Sequence, residues 1–420
     1  MLKTKNNVFE KASAQIFIFS MIANACSYLF QIIMGNMLSV ENYGIINALI
    51  ALVSVMSAPG SVIAAAVTKY SAESMRSESK EKVALVYQTA VKLTMVIQVI
   101  MLLGGVCFRQ QLEKTFDISK EYVLITVVVS AISLIPFAKY SMLQGMQEYV
   151  AYGIQEIILC GSKLGISVFL VYIGLEAYGV LLALILSYFL QSLYCLYKIQ
   201  KLDVIKKYTW SECFLCLKEW KDYIFSAIWV RIVILMLMNL DTLLVKMLYS
   251  NYEVGIFSSG MVITKIGMYL ATALVVPMVP MIINEKENHK NVKKLVTKTF
   301  VYGIGAMAVY SVVLLTIGKY IVNLLFGERY YESVYYYPFI CPYVVGVTGL
   351  LIVMNYTLAY GKMIFFTGSM LVGFVVIFIG IQLIEVPVTT LFVFLSILIN
   401  MLLILNIINI FRNLKTESKK

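Results

Sequence analysis

Twelve apolar runs follow one another along this chain, at 12–37, 43–67, 84–108, 120–142, 150–173, 177–198, 222–249, 254–283, 295–318, 333–358, 363–384 and 388–411. They are 22 to 30 residues long. A helix needs roughly 20 residues to cross a ~30 Å hydrocarbon layer, so each run is long enough. The runs are continuous, whereas barrel strands alternate apolar and polar over about ten residues. The predicted fold class is an all-α integral membrane protein with about twelve transmembrane helices. Composition supports this: 60% of the 420 residues are hydrophobic and only 14% are charged. Soluble domains carry about 25% charged residues, so there is too little polar surface here for a soluble enzyme or a disordered chain. The seven cysteines form no framework, and the lone Cys213-x-x-Cys216 pair has no second pair or histidine beside it. Neither a disulfide scaffold nor a zinc site is expected.

The formal charge is +11. In a soluble chain that excess would suggest nucleic acid. Here the basic residues sit in short connections, so membrane topology accounts for them and no nucleic-acid partner is expected. One set of connections holds 24 Lys and Arg residues, including Lys69, Arg76, Lys139, Lys206, Lys286 and Arg412. The other set holds six: Arg109, Lys114, Lys120, Lys246, Lys319 and Arg329. By the positive-inside rule both termini are expected in the cytoplasm, which requires an even number of spans.

The sequence also reads as a repeat at half its length. Ser39…Gly44-Ile45 aligns with Ser250…Gly255-Ile256, Phe116 with Phe326, and Glu176…Leu186-Ser187 with Glu385…Leu395-Ser396. The offsets all fall near half the chain. Six spans per half makes the repeat parallel, with a pseudo-two-fold axis along the membrane normal. The expected organisation is an N-terminal six-helix bundle at 1–198, a cytoplasmic amphipathic linker at 199–221 and a C-terminal six-helix bundle at 222–420.

No catalytic constellation, metal set or cofactor motif is predicted. Gly361-Lys362-Met363 lacks the upstream Gly and the Ser/Thr of a phosphate cradle, and His289 is the single histidine. The informative residues are charges inside the spans, which are costly in lipid and mark pathways. These are Lys92, Glu156, Lys163, Arg231, Asp241 and Lys265. Glu156 and Lys163 are seven residues apart and share a helix face, which is expected to look at a cavity or to form an internal charge pair. Gly161-x3-Gly165 around Lys163 suggests close helix approach. Lys92, Lys163, Arg231 and Lys265 are the candidate cavity cations, suited to an anionic ligand such as a phosphate or pyrophosphate. Asp241, Asn239 and Glu156 are candidates for ion coupling or charge pairing. Pro277, Pro280, Pro338 and Pro342 are expected to bend or interrupt their helices.

Short motifs recur through the first half: Gly35-Asn36-Met37-Leu38-Ser39-Val40-Glu41-Asn42-Tyr43-Gly44, Thr68-Lys69-Tyr70, Leu143-Gln144-Gly145 and Ala177-Tyr178-Gly179. Leu240-Asp241-Thr242, Glu253-Val254-Gly255 and Phe326-Gly327-Glu328-Arg329-Tyr330 follow in the second half. Together these motifs resemble the polysaccharide transporter (O-antigen flippase-like) family of the multidrug/oligosaccharidyl-lipid/polysaccharide exporter superfamily. The resemblance implies two six-helix bundles around a V-shaped cavity in a bacterial cytoplasmic membrane. It implies transfer of undecaprenyl-pyrophosphate-linked oligosaccharide to the outer leaflet by alternating access, alongside a polysaccharide polymerase and glycosyltransferases. The alternatives are a cation-coupled multidrug exporter of the same fold and a membrane polysaccharide polymerase or glycosyltransferase. No enzyme activity is expected under the leading reading.

Overall fold

The computed structural model describes residues 2–77, 79–275, 292–360, 363–382 and 387–417. Pro277, Pro280, His289, Gly361, Lys362 and Glu385 lie outside the described residues. Every regular element described is helical. In the first half these are α1 (Leu2–Met37), α2 (Val40–Met56), α3 (Ala58–Arg76), α4 (Lys80–Cys107) and α5 (Arg109–Phe116). They continue with α6 (Lys120–Ser133), α7 (Phe137–Gly145), α8 (Tyr149–Leu170), α9 (Glu176–Lys201) and α10 (Trp210–Leu248). Then come α11 (Asn251–Val275), α12 (Val292–Phe326), a 3-10 segment at Glu328–Tyr336, α13 (Tyr337–Tyr360), α14 (Met363–Gln382) and α15 (Val388–Glu417).

Among the described residues, ten helical stretches are long and apolar enough to cross a membrane, and the pair α2 and α3, bent by 47°, adds an eleventh. One of the ten, Tyr149–Lys201, runs for 53 residues. That is more than twice the roughly 20 residues one span requires. Its backbone leaves the helical region at Gly174 (φ +91) and Glu176 (φ +43), and α8 and α9 pack against each other across this turn. They are therefore two spans, which brings the described total to the expected twelve.

Local chemistry sets these boundaries. The Ser39 hydroxyl accepts from the Asn42 N–H at 3.2 Å and starts α2, and Ser79 does the same for Lys82 at 3.3 Å. Pro59, in the first turn of α3, has no N–H to continue α2, so the chain breaks at Ser57. Thr209 and Glu212 form a capping box at the start of α10. Phe116 and Phe326 each end a helix and precede a residue with positive φ, Asp117 (φ +42) and Gly327 (φ +83). The two halves thus share this local backbone feature at the positions the repeat pairs.

By packing, the chain divides into two units, Met1–Asn251 and Tyr252–Lys420. The division falls later than the 199–221 connection, because α10 packs on α2, α3 and α4. Tyr70 of α3 stacks on Trp220 of α10 with ring centroids 5.2 Å apart, and its hydroxyl donates to the Glu219 carbonyl at 3.1 Å. Only residues 202–209 connect α9 to α10, and the rest of the expected linker belongs to those two helices. The connection is tied to α4. Tyr208 donates its hydroxyl to the Glu81 carbonyl at 2.9 Å, and Lys206 pairs with the Glu81 carboxylate at 3.0 Å, which holds the Lys206 ammonium above its ordinary pKa. In the second unit, Phe392 of α15 packs on Phe257 of α11 at 4.9 Å and on Tyr343 of α13 at 5.4 Å. Pro342 sits inside α13, which continues through it.

Candidate functional site

The site is built on the first unit. Within it α1 and α8 run side by side, because Gly153 removes the Cβ that would lie 2.2 Å from the Phe19 ring. Above this contact the Ser20 hydroxyl donates to the Glu156 carboxylate at 3.0 Å, and the Ser27 hydroxyl lies 3.2 Å from the Cys160 sulfur. Higher still, the Lys163 ammonium sits 4.4 Å from the centroid of the Phe30 ring, a cation–π placement suited to a charge taken out of water. Glu156 and Lys163 do share a face, as their spacing requires. That face is turned toward α1 rather than into open space. The glycines supply the correction: a Cβ at Gly161 or Gly165 would meet nothing within 4 Å. They make no close helix approach, and lie on the opposite side of α8 from Lys163.

Arg231, on α10, lines a slot of about 910 Å³ between α3, α4 and α10. The walls are largely apolar, with Val62 and Ile63 from α3, Leu93 and Ile97 from α4, and Ile228 and Ile232 beside the arginine. Three tyrosines, Tyr140, Tyr152 and Tyr223, lie within electrostatic range of Arg231. Tyr140 and Tyr152 meet edge to face at 6.2 Å, and Tyr152 is one turn from Glu156 on α8. Three ion pairs occur among the described residues: Lys69–Glu73, Arg109–Glu113 and Lys206–Glu81. None involves Lys92, Lys163 or Arg231. Lys163 and Arg231 thus sit in the first unit without a carboxylate pinned to either. Of the two, only Arg231 lines the slot; Lys163 is covered by α1.

The other sequence candidates stand elsewhere. The Lys92 ammonium donates to the Tyr208 carbonyl at 2.6 Å and sits 4.8 Å from the Trp210 ring, so it anchors the α9–α10 connection. Asn239 donates back to the Leu235 carbonyl at 2.9 Å, within its own helix. Asp241 is fully buried, and accepts from the backbone N–H of Thr242 at 2.7 Å and from its hydroxyl at 3.3 Å. Lys265 is half-buried on α11, in the second unit.

Two lysines expected in connections are also built into the fold. Lys139 lies within α7 and donates to the Ser192 hydroxyl of α9. Lys246 is 1% exposed; it donates to the Asp117 carbonyl at 3.2 Å and to the Asn251 side chain at 2.5 Å. Sequence reasoning missed the tyrosines around Arg231. Their signal is phenols placed inside apolar runs, which in isolation reads as packing.

Comparison with known proteins adds the family. A family model described as "Polysaccharide biosynthesis protein" matches residues 11–284. A search among curated proteins finds no match. Solved structures similar to this one include an inward-facing multidrug resistance MATE family transporter of the MOP superfamily, at TM-score 0.78 and 12% identity, covering 97% of this chain and 99% of that one. The outward-facing conformation of such a transporter matches at TM-score 0.68 and 12% identity, covering 97% and 96% of the two chains. A MOP superfamily transporter from Pyrococcus furiosus, whose reversed binding-pocket polarity was taken to suggest a different function, matches at 0.68 and 12%, covering 98% and 97%. At these identities the likeness establishes the fold. The chain is a multi-pass membrane protein with the fold of MOP superfamily transporters, and it belongs to the polysaccharide biosynthesis protein family.

Proposed function

We propose that this protein is a transporter that moves undecaprenyl-pyrophosphate-linked oligosaccharide from the cytoplasmic to the outer leaflet of a bacterial cytoplasmic membrane by alternating access. It serves the assembly of a surface polysaccharide. The observation that carries this reading is Arg231, a cation on the wall of a largely apolar slot with no carboxylate paired to it among the described residues. A guanidinium in low dielectric favours a phosphate or pyrophosphate, to which it can donate two parallel hydrogen bonds. The apolar walls suit a ligand that keeps a hydrocarbon chain. Lys163 is the second cation of the first unit, and Lys265 the candidate in the second. Lys92 is assigned to holding the α9–α10 connection.

The family's description, polysaccharide biosynthesis, supports the substrate class. The multidrug transporters among the solved structures favour a second reading, cation-coupled drug export. Purified protein in proteoliposomes separates the two. The proposed function predicts flipping of a fluorescent lipid-linked oligosaccharide, with no acceleration of cationic dye efflux by an imposed ion gradient. Gradient-driven dye efflux without lipid flipping would replace it with the second reading.

A further inference from the structure

The slot has a second cationic station. Its α10 wall is a stripe of residues three and four apart, from Phe214 through Leu217, Lys221, Ile224 and Ile228 to Ile232. Such spacing keeps one helix face along five turns, roughly 27 Å of axis. At the N-terminal end of that stripe Lys218 and Lys221 line the slot, and both are exposed. Ten residues further on, roughly 15 Å along the helix, is Arg231. The single acidic residue lining the slot is Asp222, beside Lys221. Three cations therefore face one carboxylate along an otherwise apolar channel wall. The lysine distribution assigns the Lys218 end to the cytoplasmic side.

This arrangement matches one kind of occupant. A free phosphate would gain nothing from the apolar walls, and a plain hydrocarbon would gain nothing from the lysines. A lipid with an anionic phosphate head and a long chain uses both. Its head is held at the bilayer surface, where each lysine contributes about 1 kcal/mol toward an anionic headgroup. Its chain lies against Leu217, Ile224, Phe225 and Ile228, which take the place of the acyl chains it leaves and set the fit rather than the driving force. We propose that the α3–α4–α10 slot is the entry site for a phosphate-headed polyprenyl lipid. Lys218 and Lys221 hold the headgroup at the mouth before Arg231 receives it deeper in. The inference rests on the proposed function for the identity of the lipid. The slot, its mouth and its cation spacing stand independently of that.

The test uses the full-length protein in nanodiscs of phosphatidylcholine, with a fluorescent polyprenyl phosphate as probe. Lys218→Ala/Lys221→Ala should weaken binding roughly tenfold or more, from two lysines at about 1 kcal/mol each. Asp222→Asn should tighten it, because the one opposing charge is removed. Ile228→Trp, which narrows the slot without changing charge, should weaken binding. Lys114→Ala/Lys120→Ala, at the opposite end of the spans, should leave it unchanged. Unaltered affinity in both the double lysine variant and Ile228→Trp would overturn the proposal. So would equal competition by phosphatidylglycerol, which would make the slot a general anionic-lipid site.

Flipping of the lipid-linked oligosaccharide is measured on the same preparations. If the slot variants bind and flip normally while wild type flips, the entry site falls and the proposed function stands. If wild type binds the probe through the slot but flips nothing, the entry site stands and the proposed function falls.

Discussion

At the residue scale the account depends on where charge is stored inside a membrane protein. Arg231→Ala is expected to lower lipid flipping roughly tenfold or more, since a hydrogen bond to a charged group contributes about 1.5–3 kcal/mol. Arg231→Lys should recover part of the rate, because it restores the charge but not the bidentate fork. The checking measurement is flipping per molecule at matched membrane content, and equal rates in wild type and Arg231→Ala would contradict the assignment. Lys246 has a different role. It is 1% exposed, and its removal leaves the Asp117 carbonyl and the Asn251 side chain without a donor. Lys246→Ala should cost about 1–3 kcal/mol of stability, read as a lowered unfolding midpoint in detergent. The intramembrane charges were legible in the sequence because an ionisable residue in an apolar run is rare and costly. Their partners were not legible. Spacing placed Glu156 and Lys163 on one face but could not say that α1 covers it. Nor could it separate Lys92, which reaches a backbone carbonyl near the surface, from Arg231, which lines the slot.

At the element scale, the spans follow from apolar length and their ends from caps and breakers. Gly174 holds φ +91 in the turn between α8 and α9. Gly174→Val should therefore destabilise the protein by about 1–2 kcal/mol, the cost of left-handed backbone with a side chain. The unfolding midpoint checks this, and an unchanged midpoint would show that the turn relaxes freely. The α9–α10 connection makes a separate prediction. Lys92→Met removes the bond to the Tyr208 carbonyl and the placement over Trp210. Limited proteolysis within 202–209 should then be faster than in wild type, while cleavage elsewhere keeps its rate. What the sequence hid here is the length of α10. Its polar first turns, with Lys218, Lys221 and Asp222, read as a linker. Yet the capping box at Thr209 and the Tyr70–Trp220 stack make them the start of a 39-residue helix.

At the scale of the whole molecule, the twelve spans and the lysine asymmetry predict a topology. Cysteines introduced at Lys206 and Lys319 should be labelled by an impermeant thiol reagent from opposite sides of the membrane, and labelling from the same side would refute the orientation. The number of spans could be read from the sequence because hydrophobic length is additive along the chain. The division by packing could not, because it depends on which neighbour α10 chooses, and α10 chose α2, α3 and α4. The central claim is that Arg231, a cation on an apolar slot with no carboxylate partner among the described residues, recognises the phosphate of a lipid-linked glycan. The most direct test reconstitutes wild type and Arg231→Ala in proteoliposomes and follows a fluorescent lipid-linked oligosaccharide becoming accessible in the opposite leaflet. The account predicts rapid transfer by wild type and a rate at least roughly tenfold lower in the variant. Equal rates, or no transfer by wild type, would contradict it.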